Sequence, residues 1–284
     1  MLILILEGVL IGCLLGLTGA GGGILAVPAL MVSQNWSVAL AAPVGLLAVT
    51  LAALVGAIQG LINKTIRYKA AIWIALLSIP TAKYGIYLSH IISPVWLTLT
   101  FSMVMFYVAY RGFLGEPSEL THSVCQINQE TGKFIWNIKT AAVLGGIGII
   151  SGLLTGLLGV GGGFVIVPAL RKFTNLNMKS IIATSLLVIF CIGSISIFIN
   201  VLNGFPYPKE ISSIFIVSCI IGLLIGRLII NYLSAKMIKT IFSILVIIVA
   251  LVLFISSLSE LNFIWFIKGL IGNRLIYVVC HYFW

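Results

Sequence analysis

The chain contains no aspartate, and only 8% of its 284 residues are charged. A soluble domain carries roughly 25% charged residues, so this sequence has too few charges to cover a surface in water. The shortage also weighs against an intramembrane enzyme. Paired Asp is excluded, no HExxH occurs, and His90, His122 and His281 fall at expected loop or tail positions. Cys13, Cys125, Cys191, Cys219 and Cys280 show no CxxC or Cys/His ligand spacing, so neither metal nor cofactor is expected. No GK[ST] is present for a P-loop, and the glycine-rich stretches lack the strand–helix setting of a dinucleotide fold. The formal charge of +10 is spread over separate short loops. That is the pattern of cytoplasmic-loop anchoring, not of nucleic-acid binding.

What the chain does have is hydrocarbon. Hydrophobic residues make up 61% of it, with several apolar runs of 18 or more residues, enough to cross a bilayer core of about 30 Å. The expected class is an all-α polytopic membrane protein whose solvent is lipid. The first run, "MLILILEGVLIGCLLGLTGA", lacks a basic start, contains Glu7, and its tail returns later in the chain. It is expected to be structure and not a removable signal peptide.

Laying residues 16–30 on 156–170 gives ten identities in fifteen positions, at an offset of 140. The expected organisation is a first repeat over 1–111, a polar connecting loop over 112–138, a second repeat over 139–256 and an aromatic-rich segment over 257–284. Each half reads as an apolar arm (2–18; 140–158), a glycine break and a short apolar piece (24–32; 164–170). Three spans follow, at 38–62, 70–88 and 95–110, then at 178–202, 211–233 and 237–256. A break that tips a re-entrant hairpin leaves three spans per half, and an odd number inverts the second half. Inversion puts Lys64, Arg67, Lys69, Arg111, Lys133, Lys139, Arg171, Lys172, Lys179, Lys236 and Lys239 on one side, as the positive-inside rule favours.

The breaks carry the functional expectation. Glycine permits a sharp reversal, and a helix restarting there presents unpaired N–H groups and the positive end of its dipole, a ready anion site. In "GAGGGILAVPAL" and "GVGGGFVIVPAL" the candidate binding glycines are Gly19, Gly21, Gly22 and Gly23, and Gly159, Gly161, Gly162 and Gly163. Gly16, Pro28, Gly156 and Pro168 complete the motif as structural positions. Close helix packing by small residues is the alternative use of such glycines; the tandem occurrence favours the functional one.

With "APVGLL" following the first motif and "ATSLL" the second, the sequence resembles the sulfite exporter TauE/SafE family across both halves, to about residue 256. The resemblance implies an integral membrane transporter of sulfur-containing or organic anions such as sulfite and sulfoacetate. It carries over the motif glycines and prolines, with Thr184 and Ser185 in the helix after the second motif. The first half departs from it, since Val44 and Gly45 replace the hydroxyl pair. Thr184 and Ser185 either donate to an oxyanion or bond back to their own helix.

Lys83 and Arg227 lie inside matching spans. A charge at mid-bilayer is costly, so each either draws an anion or snorkels to a headgroup. Glu7 reads as interfacial, with proton carriage the other option. The leading expectation is a secondary membrane transporter for a small anion in the cell (inner) membrane, driven by a gradient. A permease for another solute and a non-transporting membrane scaffold are the competitors. The expected partners are the anion and the bilayer.

Overall fold

The computed structural model describes residues 1–19, 21–113, 125, 136–230, 232 and 235–271. They form ten helices: α1 (Leu2–Thr18), α2 (Gly21–Gln34), α3 (Val38–Ile62), α4 (Tyr68–Ile91), α5 (Pro94–Phe113), α6 (Ile138–Leu158), α7 (Gly163–Phe173), α8 (Met178–Leu202), α9 (Lys209–Ile229) and α10 (Ala235–Ile271). The only extended pairing among the described residues is an isolated bridge between Cys125 and Thr174, in which the Cys125 N–H donates to Phe173 O at 3.0 Å. The expected all-α membrane fold is what the chain adopts. Six helices have the length and apolarity to cross a bilayer: Val38–Ile62, Tyr68–Ile91, Ile138–Leu158, Met178–Leu202, Lys209–Ile229 and Thr240–Leu258.

Three details differ from the sequence expectation. The arm Ile138–Leu158 is itself long enough to span, whereas the apolar part of α5, Pro94–Tyr110, falls short. No break separates the last span from the tail: α10 continues to Ile271, because neither proline nor glycine interrupts residues 237–268. Most of the connecting loop, His122, Cys280, His281 and the tail beyond residue 271 lie outside the described residues.

Packing exchanges arms between the halves. The first arm, α1, lies against α9, and the second arm, α6, lies against α4. Glycine allows both approaches. A Cβ at Gly12 would overlap the Cys219 carbonyl, and one at Gly156 would overlap the Ala82 carbonyl. Lipid tails are as apolar as leucine, so backbones in close van der Waals contact do the work that hydrophobic burial does in water.

At the centre, α3 and α8 cross antiparallel. Gly60 faces Ala183, Gly56 faces Leu186 and Thr50 faces Gly193, so one helix ascends as the other descends. Both are 25 residues long, with residues 50 and 190 at their midpoints. The elbows tie in at the outer ends of this pair and again reciprocally, Gly19 against Ile182 and Gly159 against Ala42.

Two glycines of α6 make opposite predictions. Gly156→Leu forces a side chain into the α4 backbone and is expected to cost several kcal/mol, at or above the ~1–3 kcal/mol typical of overpacking. Gly146 has open space around a Cβ, so Gly146→Ala should be neutral or stabilise by roughly 0.5–1 kcal/mol. Melting temperatures of the detergent-purified variants check both.

Candidate anion site at the two elbows

Each arm ends in the same way. Gly19 (φ 70°) and Gly159 (φ 68°) are left-handed caps whose N–H groups donate to Leu15 O at 2.8 Å and Thr155 O at 2.9 Å. Beyond the caps the elbows diverge. In the second half Gly161 (φ 78°) and Gly162 (φ 65°) carry the reversal, and α7 starts at Gly163 as expected. In the first half α2 begins already at Gly21. The triplet Gly21–Gly23 is therefore the opening turn of α2 and not part of the break. The short piece expected over 24–32 thus begins earlier, because an opening turn tolerates glycines.

The elbows then converge. Gly23 rests on the carbonyl of Val160 so closely that a Cβ there would overlap it. A Cβ at Gly161 would lie 3.2 Å from Ile189 and 3.7 Å from Val49, and one at Gly23 would lie 3.6 Å from Val49. Val49 and Ile189 are next to the midpoints of α3 and α8. The two starting helix ends thus meet at mid-height of the central crossing, with their dipoles' positive ends inward.

Val165 and Ile166 both donate to Gly162 O, at 3.0 and 3.2 Å. Among the described residues no acceptor takes the N–H groups of Val160, Gly161, Gly162, Gly163 or Phe164. Gly19, Gly22 and Gly23 in the first half and Gly159, Gly161, Gly162 and Gly163 in the second are buried. Pro28 and Pro168 lie inside α2 and α7, where each ring removes one further helix bond.

The side chains expected at the site occupy different places. Ser185 donates to Gly19 O at 2.9 Å, bifurcated with Ile182 O at 2.9 Å, while Thr184 accepts the Arg67 N–H at 3.1 Å. Both hydroxyls come from the second half and tie down the first, one at its elbow and one at its α3–α4 corner. Arg227 turns inward: its Nη1 donates to Gln59 Oε1 at 2.8 Å, and Gly56 leaves room for its Nη2. The one acid of α9, Glu210, is in its first turn, whereas Arg227 is in its last. Lys83 is exposed on α4, with Tyr84 and Tyr87 alongside at 59% and 63% exposure. The apparent match of Lys83 with Arg227 does not extend to their surroundings.

Sequence reading passed over several polar groups. On α6, Thr155 and Ser151 flank the second elbow, with Thr155 Oγ1 2.7 Å and Ser151 O 2.8 Å from where a Cβ of Gly162 would lie. At the first elbow the corresponding neighbours of Gly22 are Leu15 and the Ile11 carbonyl. The spacing of Ser151 and Thr155, four residues apart just before the break, was the available signal. Gln59 and Arg67 gave none. Cys125 is fully buried, and burial pushes its thiol up, opposed by a hydrogen bond with Thr140, so it is poorly suited to thiolate chemistry. Among the described residues no group of three His, Cys, Asp or Glu could hold a metal ion. A cavity of about 310 Å³ opens on the outer side of α4, lined by Tyr68, Lys69, Ile72, Trp73, Leu76 and Trp136; none of these is an elbow residue.

An all-helical bundle with six helices long and apolar enough to cross a bilayer, and two arms ending in buried glycine elbows, defines a multi-pass membrane protein. The match to known proteins gives it a family: residues 4–253 fit the sulfite exporter TauE/SafE model, and the chain belongs to that family. It is 30% identical over 243 residues to a probable membrane transporter protein of Xylella fastidiosa (strain Temecula1 / ATCC 700964), covering 84% of this chain and 89% of that one. It is also similar to two Bacillus subtilis (strain 168) proteins named as probable membrane transporters. These are YunE, 27% identical over 66% of this chain and 73% of its own, and YjnA, 25% identical over 82% and 90%. No solved structure matches.

The Ser185 contact is testable. Ser185→Ala leaves Gly19 O without its donor from α8 and is expected to destabilise the protein by about 0.5–1.5 kcal/mol. Proteolysis should then cut faster near the first elbow than in Thr184→Ser, which keeps its acceptor.

Proposed function

We propose that this membrane transporter is a secondary carrier of a small sulfur-containing anion, sulfite or a sulfonate such as sulfoacetate, in the cell membrane. The observation that carries the proposal is the convergence of two helix starts at the midpoints of α3 and α8, the second of them with unaccepted N–H groups. Helix starts at mid-membrane are where broken-helix carriers hold anionic groups. Arg227 supports an anionic cargo, being half-buried against the neutral amide of Gln59. Sulfur rests on the family alone. With no P-loop in the sequence, an ion or substrate gradient supplies the energy.

Mechanically, the halves run in opposite directions through the bilayer and rock about the elbows, exposing the bound anion first to one side and then to the other. The antiparallel crossing of α3 and α8 supports this arrangement, as does the one-sided placement of basic loops. In the state described the elbows are enclosed, which suits an occluded step of the cycle.

Uptake of labelled sulfite, thiosulfate and sulfoacetate into proteoliposomes, with and without a pH gradient, tests the cargo. Saturable flux of at least one is expected. Flux of none, with a neutral or cationic solute moving instead, would transfer the protein to the competing permease class. Arg227→Gln is expected to raise KM for the anion by about tenfold or more, the scale of a lost charge-assisted hydrogen bond. Orientation has its own check: a reporter inserted after Lys172 should read cytoplasmic, and an extracytoplasmic signal would rule out the inverted arrangement.

A further inference from the structure

At the midpoint of α3, Thr50 buries a hydroxyl that has no hydrogen-bond partner. It is 1% exposed. Most hydroxyls in these helices return to a carbonyl three or four residues back, as Ser78 does to Ile74 O at 2.7 Å, Thr98 to Pro94 O at 2.9 Å and Ser218 to Ile214 O at 2.8 Å. Ser212 in the first turn of α9 and Ser243 in α10 are also buried without a partner, but neither lies on the central crossing. Leu46 O offers Thr50 the same bond, and Thr50 does not take it. Its Oγ1 points across the central crossing instead, into the space that Gly193 leaves by having no Cβ. Ser196 follows three residues later on the same face of α8, fully buried and likewise without a partner.

The level at which these hydroxyls lie matters. Val49, the residue before Thr50, lies where a Cβ at either Gly23 or Gly161 would meet it, and Ile189, one turn before Gly193, lies where a Cβ at Gly161 would. Thr50 is therefore at the height where the elbow amides converge. For packing alone, valine has the same shape without the penalty of a buried orphan donor. Polar groups placed at mid-membrane mark substrate paths.

We infer that Thr50, backed by Ser196, donates a hydrogen bond to an acceptor oxygen of the anion held at the elbows, and is a substrate-binding residue. The inference rests on the anion-carrier proposal above. It adds a side-chain donor from the first half, which Val44 and Gly45 do not supply, and it selects cargo with a free S–O or carboxylate oxygen.

The test compares wild type with Thr50→Val, Thr50→Ser and Ser196→Ala, measuring sulfite and sulfoacetate flux in proteoliposomes and melting of the anion-free protein in detergent. Thr50→Val is expected to raise KM about tenfold, as for a hydrogen bond lost to substrate. Its anion-free melting temperature should stay level or rise, because an orphan donor has been removed. Thr50→Ser should transport close to wild type, and Ser196→Ala should weaken binding by a smaller factor. Wild-type KM in Thr50→Val overturns the inference, as does a lowered anion-free melting temperature, which would show a structural hydroxyl. If Thr50→Val does not insert, Thr50→Ala takes its place, and wild-type KM in that variant overturns the inference instead. Should wild type move neither anion, the carrier proposal itself fails; if wild type moves them and the variants match it, only the role of Thr50 falls.

Discussion

Peptide groups cannot be left bare in lipid, and the architecture follows from that constraint. A non-helical turn within the hydrocarbon survives only where protein covers it. Here the cover for each turn comes from the other half of the chain. Ile182 of α8 closes over Gly19, and Ala42 of α3 closes over Gly159. Neither elbow is covered by its own repeat alone, so each repeat needs the other to enclose its turn.

The exchanged arms extend the same dependence. With α1 on α9 and α6 on α4, pulling the halves apart would strip two long helix contacts as well as both elbow covers. These contacts leave room only for small relative motion of the halves, such as the rocking proposed above. The α3–α8 crossing suits such motion, because alanine and glycine line much of it: Gly56, Gly60, Ala183 and Gly193 all sit at the contact. The occlusion of the elbows and the smoothness of this crossing are two consequences of the same small residues.

Much of this was legible in the sequence, and the limits have physical causes. The central helices occupy the expected 38–62 and 178–202 because polar residues punctuate both ends, with Asn177 accepting the Ser180 N–H at 2.8 Å as a side-chain cap. The left-handed caps at Gly19 and Gly159 were legible because the motif occurs twice. Partner choice was not. Periodicity says which face of α8 is buried, but nothing local says that Ser185 meets Gly19, 166 positions away. The hydroxyls read as ligands are engaged in holding the fold, whereas Thr50 drew no notice, since a threonine in an apolar span looks like ordinary packing. The extent of α10 was missed for the opposite reason: a change of composition near residue 257 looked like a boundary, but helices end at caps and breakers, and none stands there.

For the carrier proposed above, duplication would supply the two-sided scaffold that alternating access needs, because equivalent halves give inward and outward states similar energies. The departures from equivalence bear on direction and choice. Ser151 and Thr155 flank Gly162 at the second elbow where Ile11 and Leu15 flank Gly22 at the first. Arg227 and Gln59 pair beside α3, while Ile199, the position 140 residues after Gln59, can form no such bond. The two elbows therefore have different polar neighbours, Ser151 and Thr155 of α6 at the second and Arg227, whose backbone lies close to Gly16, by the first arm. Symmetry thus builds the path, and its local breaking gives the path a preferred occupant.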